Sequence, residues 1–261
     1  MAAFGDFNEL GIDIGDDGVA LVEIQRPPNN FFSYRMISGL ADAFEALDGE
    51  ASARAIVLAA AGKHFCAGAD FSGNSDAAEG ADEPGALYRE AVRLFSTKTP
   101  VVAAIQGAAV GGGLGLALMP DFRVAAPEAR FTANFARLGF HHGFGLSATL
   151  PRVVGMQNAM ELLYTGKRIK ADEALDIGMV DKLVATADLR DEARALAAEI
   201  AKSAPLAVRS IRETMRGDLA QLVKEATDHE LEEQDWLRKT NDFKIGIRAY
   251  AAREDAAWTS T

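Results

Sequence analysis

PVVAAIQGAAVGGGLGLALMP, Pro100 to Pro120, is the stretch that decides how this chain folds. With Thr99 before it, the segment carries no charge over a length that could cross a bilayer. Gly107, Gly111, Gly112, Gly113 and Gly115 interrupt it, however, and Pro100 and Pro120 bracket it. Val101–Ile105 reads as a buried strand, and the remainder as a glycine-rich turn leading into a helix. A buried strand–turn–helix in a soluble, cytoplasmic protein is therefore expected, with no membrane association.

The same design occurs upstream. Ala55–Ala59 is a short continuous apolar run, as expected of a strand covered on both faces. It runs through Gly62 into the loop Lys63–Asp70. Val19–Ile24 reads as another strand, closed by Arg26-Pro27-Pro28. Ser33 is placed to cap a helix whose apolar positions, Met36, Ile37, Leu40, Phe44 and Leu47, recur at helical spacing. Phe71–Gly85, rich in Asp, Glu, Gly, Ser and Ala, reads as a mobile surface segment, a candidate lid. A helix is expected around Leu87–Phe95, a strand at Phe122–Ala125, irregular chain over Phe131–Gly145, and helix again at Leu146–Val154.

Beyond residue 156 the chain turns helical: Met156–Tyr164, Ala171–Ile177, Asp188–Lys202, Leu206–Met215 and Leu219–Lys239, with one short strand at Met179–Val184. Strand and helix alternate in the front half, and the back third is nearly all helix. This pattern is that of an α/β core followed by a helical extension.

Composition narrows the function classes. The 261 residues hold 38 acidic against 27 basic side chains, a net charge of −11, which argues against a general nucleic-acid binder. Cys66 is the single cysteine, so no internal disulfide can form. Met1–Leu10 has neither a basic nor an apolar region of the signal-peptide kind, and no signal peptide is expected.

Chemistry is expected where the two buried strands end. Ala67-Gly68-Ala69 and Gly111-Gly112-Gly113 each set a flexible backbone just past a strand, where N–H groups can point at a ligand. Two such donors converging on one carbonyl oxygen form an oxyanion hole. A plainer reading stands beside it: Gly107, Gly111 and Gly115 recur every four residues and could simply let two helices approach closely.

The pairing of HFCAGAD (His64–Asp70) with PVVAAIQGAAVGGGLGLALMPD (Pro100–Asp121) resembles the crotonase family, the enoyl-CoA hydratase/isomerase superfamily. The likeness runs from about Val19 to Trp258 and includes Arg26-Pro27, the Phe131 segment and Thr165-Gly166…Ala171…Ala174…Gly178-Met179-Val180. It implies a crotonase-like spiral of ββα turns over residues 1–200. A C-terminal helical region, 201–261, would cover the active site and assemble the chain into homotrimers or hexamers. It also implies a coenzyme A thioester, with no separate cofactor, whose carbonyl is polarised by the amides of Ala69 and Gly112, with Ala67 beside the substrate.

The sequence departs from the family's hydratases in the proton-transfer half of the site. Their first glutamate corresponds to Gly115 and their second to Phe135, and the aspartate of a dehalogenating branch corresponds to Gly143. Adding water to a double bond needs an acid and a base, so isomerase, C–C hydrolase or decarboxylase chemistry is favoured over hydration. His141 and His142, in the segment that lines the family's acyl pocket, are the replacement candidates, since imidazole titrates near neutrality. A metal role is not expected of them, as adjacent side chains diverge and no third ligand is spaced for one.

Phe135, Phe140, Phe144 and Leu146 suggest an apolar acyl pocket, or else core packing. Tyr88 and Glu90 are secondary acid/base candidates. His64, Cys66 and Asp70 are expected to be structural, and His229 to belong to a charged surface with Asp228, Glu230, Glu232 and Glu233. The resemblance further implies coenzyme contacts at Arg26, Tyr250 and Arg253, where an arginine fork suits phosphate. The rival readings are a non-catalytic acyl-CoA-binding or assembly subunit, and a structural oligomer partner that binds no coenzyme A.

Overall fold

The computed structural model describes residues 4, 5, 7, 9–69 and 85–261. The candidate lid and Asp70 thus lie outside the described residues, except for Gly85. The first layer is a six-stranded sheet in the order β1-β2-β3-β4-β6-β9. Its strands are β1 (Leu10–Ile14), β2 (Val19–Ile24), β3 (Ala55–Ala60), β4 (Val101–Ile105), β6 (Phe122–Ala125) and β9 (Lys182–Leu183). β1 pairs antiparallel with β2, and every other pairing in this sheet is parallel. A second sheet, in the order β5-β7-β8, is built from Ala108–Val110, Arg130–Thr132 and Arg168–Lys170.

Strand period explains the unbroken apolar runs. Ile56, Leu58 and Ala60 point into the main core with Val101, Ala103 and Ile105. Their alternates Ala55, Val57 and Ala59, with Val102 and Ala104, pack on the opposite face against Leu189, Ala193, Ala197 and Ala201 of the helix Leu189–Ala201. Helices α1 (Tyr34–Gly49) and α2 (Ala86–Phe95) lie on the main core, and Ser33 caps α1 by accepting from Met36 N at 3.2 Å. The remaining helices are α3 (Gly112–Leu118), α4 (Leu146–Val154), α5 (Met156–Thr165), α6 (Ala171–Asp176), α7 (Leu189–Ala201), α8 (Pro205–Arg216), α9 (Leu219–Leu237) and α10 (Asn241–Ala252).

Three sequence expectations are corrected. Phe131–Gly145 is not wholly irregular: Phe131 lies in β7, and Ala136–Leu138 forms a 3-10 turn against which α10 packs. The strand expected at Met179–Val184 shrinks to two residues, because Met179 and Val180 donate back to Ala174 O and close the turn after α6. The glycines at four-residue spacing do not form one helix-packing stripe. Gly107 and Gly111 precede α3, and side chains at 107, 111 and 115 would meet different partners: His64, Phe135 and Phe144 respectively.

The polarity of α8 is reversed. Arg209, Arg212 and Arg216 reach inward, to Asp48 O and Thr99, to Asp121, and to Asp121 and Met119 O respectively. Burial disfavours the Asp121 carboxylate, but the two guanidiniums outweigh it and hold its pKa below the usual range. Leu206, Ile211 and Met215 of the same helix face outward and are 79%, 62% and 71% exposed.

Close backbone approach at α3 makes a sharp stability contrast. A Cβ on Gly113 would fall inside the Cys66 carbonyl, whereas one on Gly49 meets nothing within 4 Å. Gly113→Ala is expected to lower unfolding free energy by about 1–3 kcal/mol or more. Gly49→Ala should raise it by about 0.4–1 kcal/mol. Urea denaturation of the two variants checks both signs.

Candidate active site

The site begins with the register of β3 on β4. Parallel pairing of Ile56 with Val101 makes both strands end at the same edge of the sheet. The loop after β3 then runs beside the segment after β4: Cys66 N donates to Ala108 O and Val110 N to Cys66 O, each at 3.0 Å. Gly68 lies so close to Val110 that a Cβ would stand 2.7 Å from its carbonyl oxygen, at a φ of +86° that favours glycine. Ala67 N donates to Asn29 O and Phe32 N to Gly68 O, which fixes the loop from its other side.

Ala69 and Gly112 therefore sit at the ends of two clamped segments. Gly111 N is spent on Thr132 O at 2.9 Å. Among the described residues, the amides of Ala69 and Gly112 donate to no protein acceptor. Backbone donors left unpaired in this way are the raw material of an oxyanion hole.

Aromatic rings wall the glycine run. A Cβ on Gly112 would stand 2.7 Å from Phe32 Cζ, and one on Gly115 would stand 2.6 Å from Phe144 Cδ1 and 2.7 Å from Phe144 Cβ. Phe32 and Phe144 meet edge to face, with centroids 6.3 Å apart. Phe135 Cζ is 3.6 Å from where a Gly111 Cβ would be, and its ring packs on Phe140 at 5.4 Å. Phe140 in turn meets Phe243 and lies under the Arg238 guanidinium. A Cβ on Gly143 would come within 2.6 Å of Gln234 Nε2, beside the Tyr88 hydroxyl. Phe135, Phe140, Phe144 and Leu146 all belong to the main core, as the core-packing reading of these residues expects.

His141 and His142 are placed elsewhere. They line an outer cavity of about 800 Å³ with Phe135, Phe140, Tyr164 and Trp236, and neither Ala69 nor Gly112 is part of that lining. Phe135 touches both regions. The two imidazoles do not diverge as adjacent side chains were expected to; they stack at 4.0 Å and 26°. Among the described residues, no group of three potential ligands could hold a metal ion.

His141 Nδ1 is 2.9 Å from His142 O, and His142 Nε2 is 2.7 Å from Ser147 Oγ and 3.8 Å from Glu230 Oε1. Burial, assisted by the neighbouring His141 and His229, pulls the His142 pKa down to about 3.

Glu230 corrects the sequence reading most directly. It was grouped with an exposed charged surface, but it is wholly buried. Its two oxygens accept from Gly145 N and Ser147 N, each at 2.8 Å. Burial pushes its carboxyl up to about 7 against the opposing pull of these donors. Gln234, also wholly buried, donates to the Tyr88 hydroxyl at 2.9 Å and to His141 O at 3.1 Å. The signal for both was present in the spacing: Leu219, Val223, Thr227, Glu230 and Gln234 recur at three and four residues, and all five lie on the buried face of α9.

His64, Cys66, Glu90, Tyr88 and Arg26 are bound up in structure, whereas Tyr250 and Arg253 are exposed. His64 Nδ1 accepts from Ala108 N at 3.1 Å, and its pKa is lowered by burial and by Lys63. Burial pushes the Cys66 thiol up to about 12, which leaves it unreactive at neutral pH. Glu90 pairs with Arg93. Tyr88, fastened to Gln234, has its hydroxyl pKa raised by burial. Arg26 pairs with Glu9 at 3.2 Å and donates to Phe31 O at 2.9 Å. Tyr250 is 52% exposed near the end of α10, and Arg253 is exposed in the left-handed residue that caps it. No helix among the described residues is long and apolar enough to cross a membrane.

Comparison with known proteins decides the lineage. The Enoyl-CoA hydratase/isomerase family profile matches residues 15–261. This chain belongs to the enoyl-CoA hydratase/isomerase family. It is 34% identical over 250 residues to the crotonyl-CoA hydratase of Syntrophomonas wolfei, covering 94% of this chain and 96% of the relative. An enoyl-CoA hydratase/isomerase structure from Pseudoalteromonas atlantica superposes with a TM-score of 0.87 at 27% identity, over 97% of this chain and all of the other. An enoyl-CoA hydratase structure from Mycobacterium avium gives 0.84 at 26% identity, over 98% of this chain and all of the other. The α/β crotonase-like fold is thereby shown.

The buried imidazole yields a test. A folded-state pKa below the usual value gives stability that is present above about pH 6.5 and lost as pH falls toward about 3. Glu230 acts in the opposite sense, its contribution being full below the ordinary carboxylate range and lost as pH rises through about 7. His142 ring nitrogens, followed by NMR, should show no titration between about pH 8 and pH 5. A midpoint near 6.5 would contradict the buried, neutral assignment.

Proposed function

We propose that this chain is an enzyme acting on coenzyme A thioesters, which holds the thioester oxygen at the Ala69 and Gly112 amides while an enolate or tetrahedral oxyanion forms. The observation that carries this is the clamping of two segments with unspent donors by the Cys66–Ala109 bridge. The names of its relatives agree with such a substrate.

Isomerisation, C–C bond hydrolysis or decarboxylation suits the site better than hydration. At the positions where family hydratases carry glutamates, Gly115 faces the Phe144 ring and Phe135 is itself an aromatic wall. Hydration needs groups that orient water and move two protons, whereas loss of carbon dioxide from a thioester bearing a carboxylate on its α-carbon leaves the enolate directly and takes up one proton afterwards. His141 and His142 line the outer cavity and not the surroundings of the two amides, and the His142 ring is tied to Ser147 and held neutral, so the proton transfer is assigned to neither. Coenzyme contacts at Arg26, Tyr250 and Arg253, and a homotrimer or hexamer, complete the proposal. The outward Leu206, Ile211 and Met215 face of α8 supports self-association.

Acyl-CoAs at 100 times their Kd should stabilise the fold by about 2.7 kcal/mol, read as a rise in melting temperature. On whichever thioester turns over, Ala69→Pro, which deletes one donor, should lower the rate by about 10²–10³. His141→Asn should leave it nearly unchanged, because that ring faces the outer cavity. Ordinary hydratase rates on a short enoyl-CoA would overturn the assigned chemistry, and no thermal response to any acyl-CoA would overturn the coenzyme reading. Binding without turnover across the panel, unaffected by replacing both histidines, would instead assign a non-catalytic acyl-CoA-binding or assembly subunit.

A further inference from the structure

Phe144 is held in a conformation that bulky residues avoid, with φ at +64°. Such a residue persists only where its surroundings over-determine it. The surroundings here come from α9. Glu230 Oε2 accepts from Gly145 N, the amide directly after Phe144, and Oε1 accepts from Ser147 N. Val223, two turns earlier on the same helix, fills the space beside Gly145, where a Cβ would stand 2.7 Å from its Cγ1. One side of the turn over residues 143–147 is therefore fastened to α9 through main-chain donors. On its other side the Phe144 ring bears on Gly115 and meets Phe32, which covers Gly112.

A wholly buried carboxylate is a costly way to secure a turn. His142 Nε2 lies 3.8 Å from Glu230 Oε1, but its ring is neutral and supplies no counter-charge. The position of Glu230 is accounted for by the two amides, and what those amides hold in place is the ring beside the glycine run.

We infer that Glu230 is a positioning residue for the acyl cleft. By clamping the 143–147 turn, it keeps Phe144 closed over Gly115 and so selects thioesters unbranched at the carbons next to the carbonyl. This rests on the acyl-CoA reading above and deepens it. Glu230 acts only through Gly145 and Ser147, and it need not touch the substrate. The clamp requires two acceptor oxygens: glutamine at 230 supplies one, and alanine supplies none.

The test compares wild type with Glu230→Ala, Glu230→Gln and Phe144→Ala by calorimetry against butyryl-CoA, isobutyryl-CoA and free coenzyme A. Wild type should prefer the straight acyl chain by about tenfold or more. Phe144→Ala and Glu230→Ala should both bring that preference to within about threefold, with Glu230→Gln between them and affinity for free coenzyme A unchanged in all three. A crystal structure of Glu230→Ala, or of Glu230→Gln if alanine prevents folding, should show the Phe144 ring withdrawn from Gly115. Wild-type selectivity in a folded Glu230→Ala, or an unmoved ring, would overturn the clamp. If wild type binds no acyl-CoA, the substrate reading falls, and the ring position alone then decides whether Glu230 holds Phe144.

Discussion

Two main-chain hydrogen bonds, from Cys66 N to Ala108 O and from Val110 N to Cys66 O, are the constraint on which the site depends. They can form only because β3 and β4 are neighbours in parallel register and deliver their following loops to one edge of the sheet. They also require a backbone approach that leaves no room for side chains at Gly68 or Gly113. Once made, they place Ala69 and Gly112 at the free ends of adjoining segments, with the N–H groups uncommitted among the described residues. Any group lining a space between those amides is positioned by a sheet buried on both faces, which is about as rigid a support as a protein offers.

Around this frame, buried polar side chains fasten distant loops. Asn30, with no exposed surface, accepts from Arg26 N and donates to Ala61 O and His64 O, joining the chain after β2 to the loop after β3. Asp121 joins β4 to α8 through Val101 N, Arg212 and Arg216. Glu230 and Gln234 do the same between α9 and the 141–147 segment. In each case a side chain completes main-chain donors or acceptors that no helix or strand satisfies. Such groups are costly when left alone and worth most when fully paired.

Much of this frame was legible along the chain. Period-2 packing on two faces accounts for the apolar runs Ala55–Ala60 and Val101–Ile105, and helical spacing with Ser33 at the cap accounts for α1. The candidate amides followed from glycine-rich turns after these strands and from resemblance to a known family. What escaped were short or polar features. The strands Ala108–Val110 and Arg168–Lys170 are three residues each, too brief for periodicity to show, and exist because neighbouring backbone is there to pair with. Glu230 looked like one charge in an acidic run because composition does not say which face of a helix is covered.

The order of amino acids by itself determined the α/β class, the two buried strands with their glycine turns, and glycine at 115 and 143 with phenylalanine at 135. Those are local properties, fixed by side-chain period, by backbone freedom and by which atoms a residue possesses. Only the tertiary structure decided that Phe144 fills the space beside Gly115 and that His141 and His142 open onto a separate cavity. It likewise decided that a carboxylate 85 residues away holds Gly145. These outcomes depend on contacts between segments remote in the chain, and the direction of a ring or the burial of a charge is settled by what packs against it, not by its neighbours in sequence.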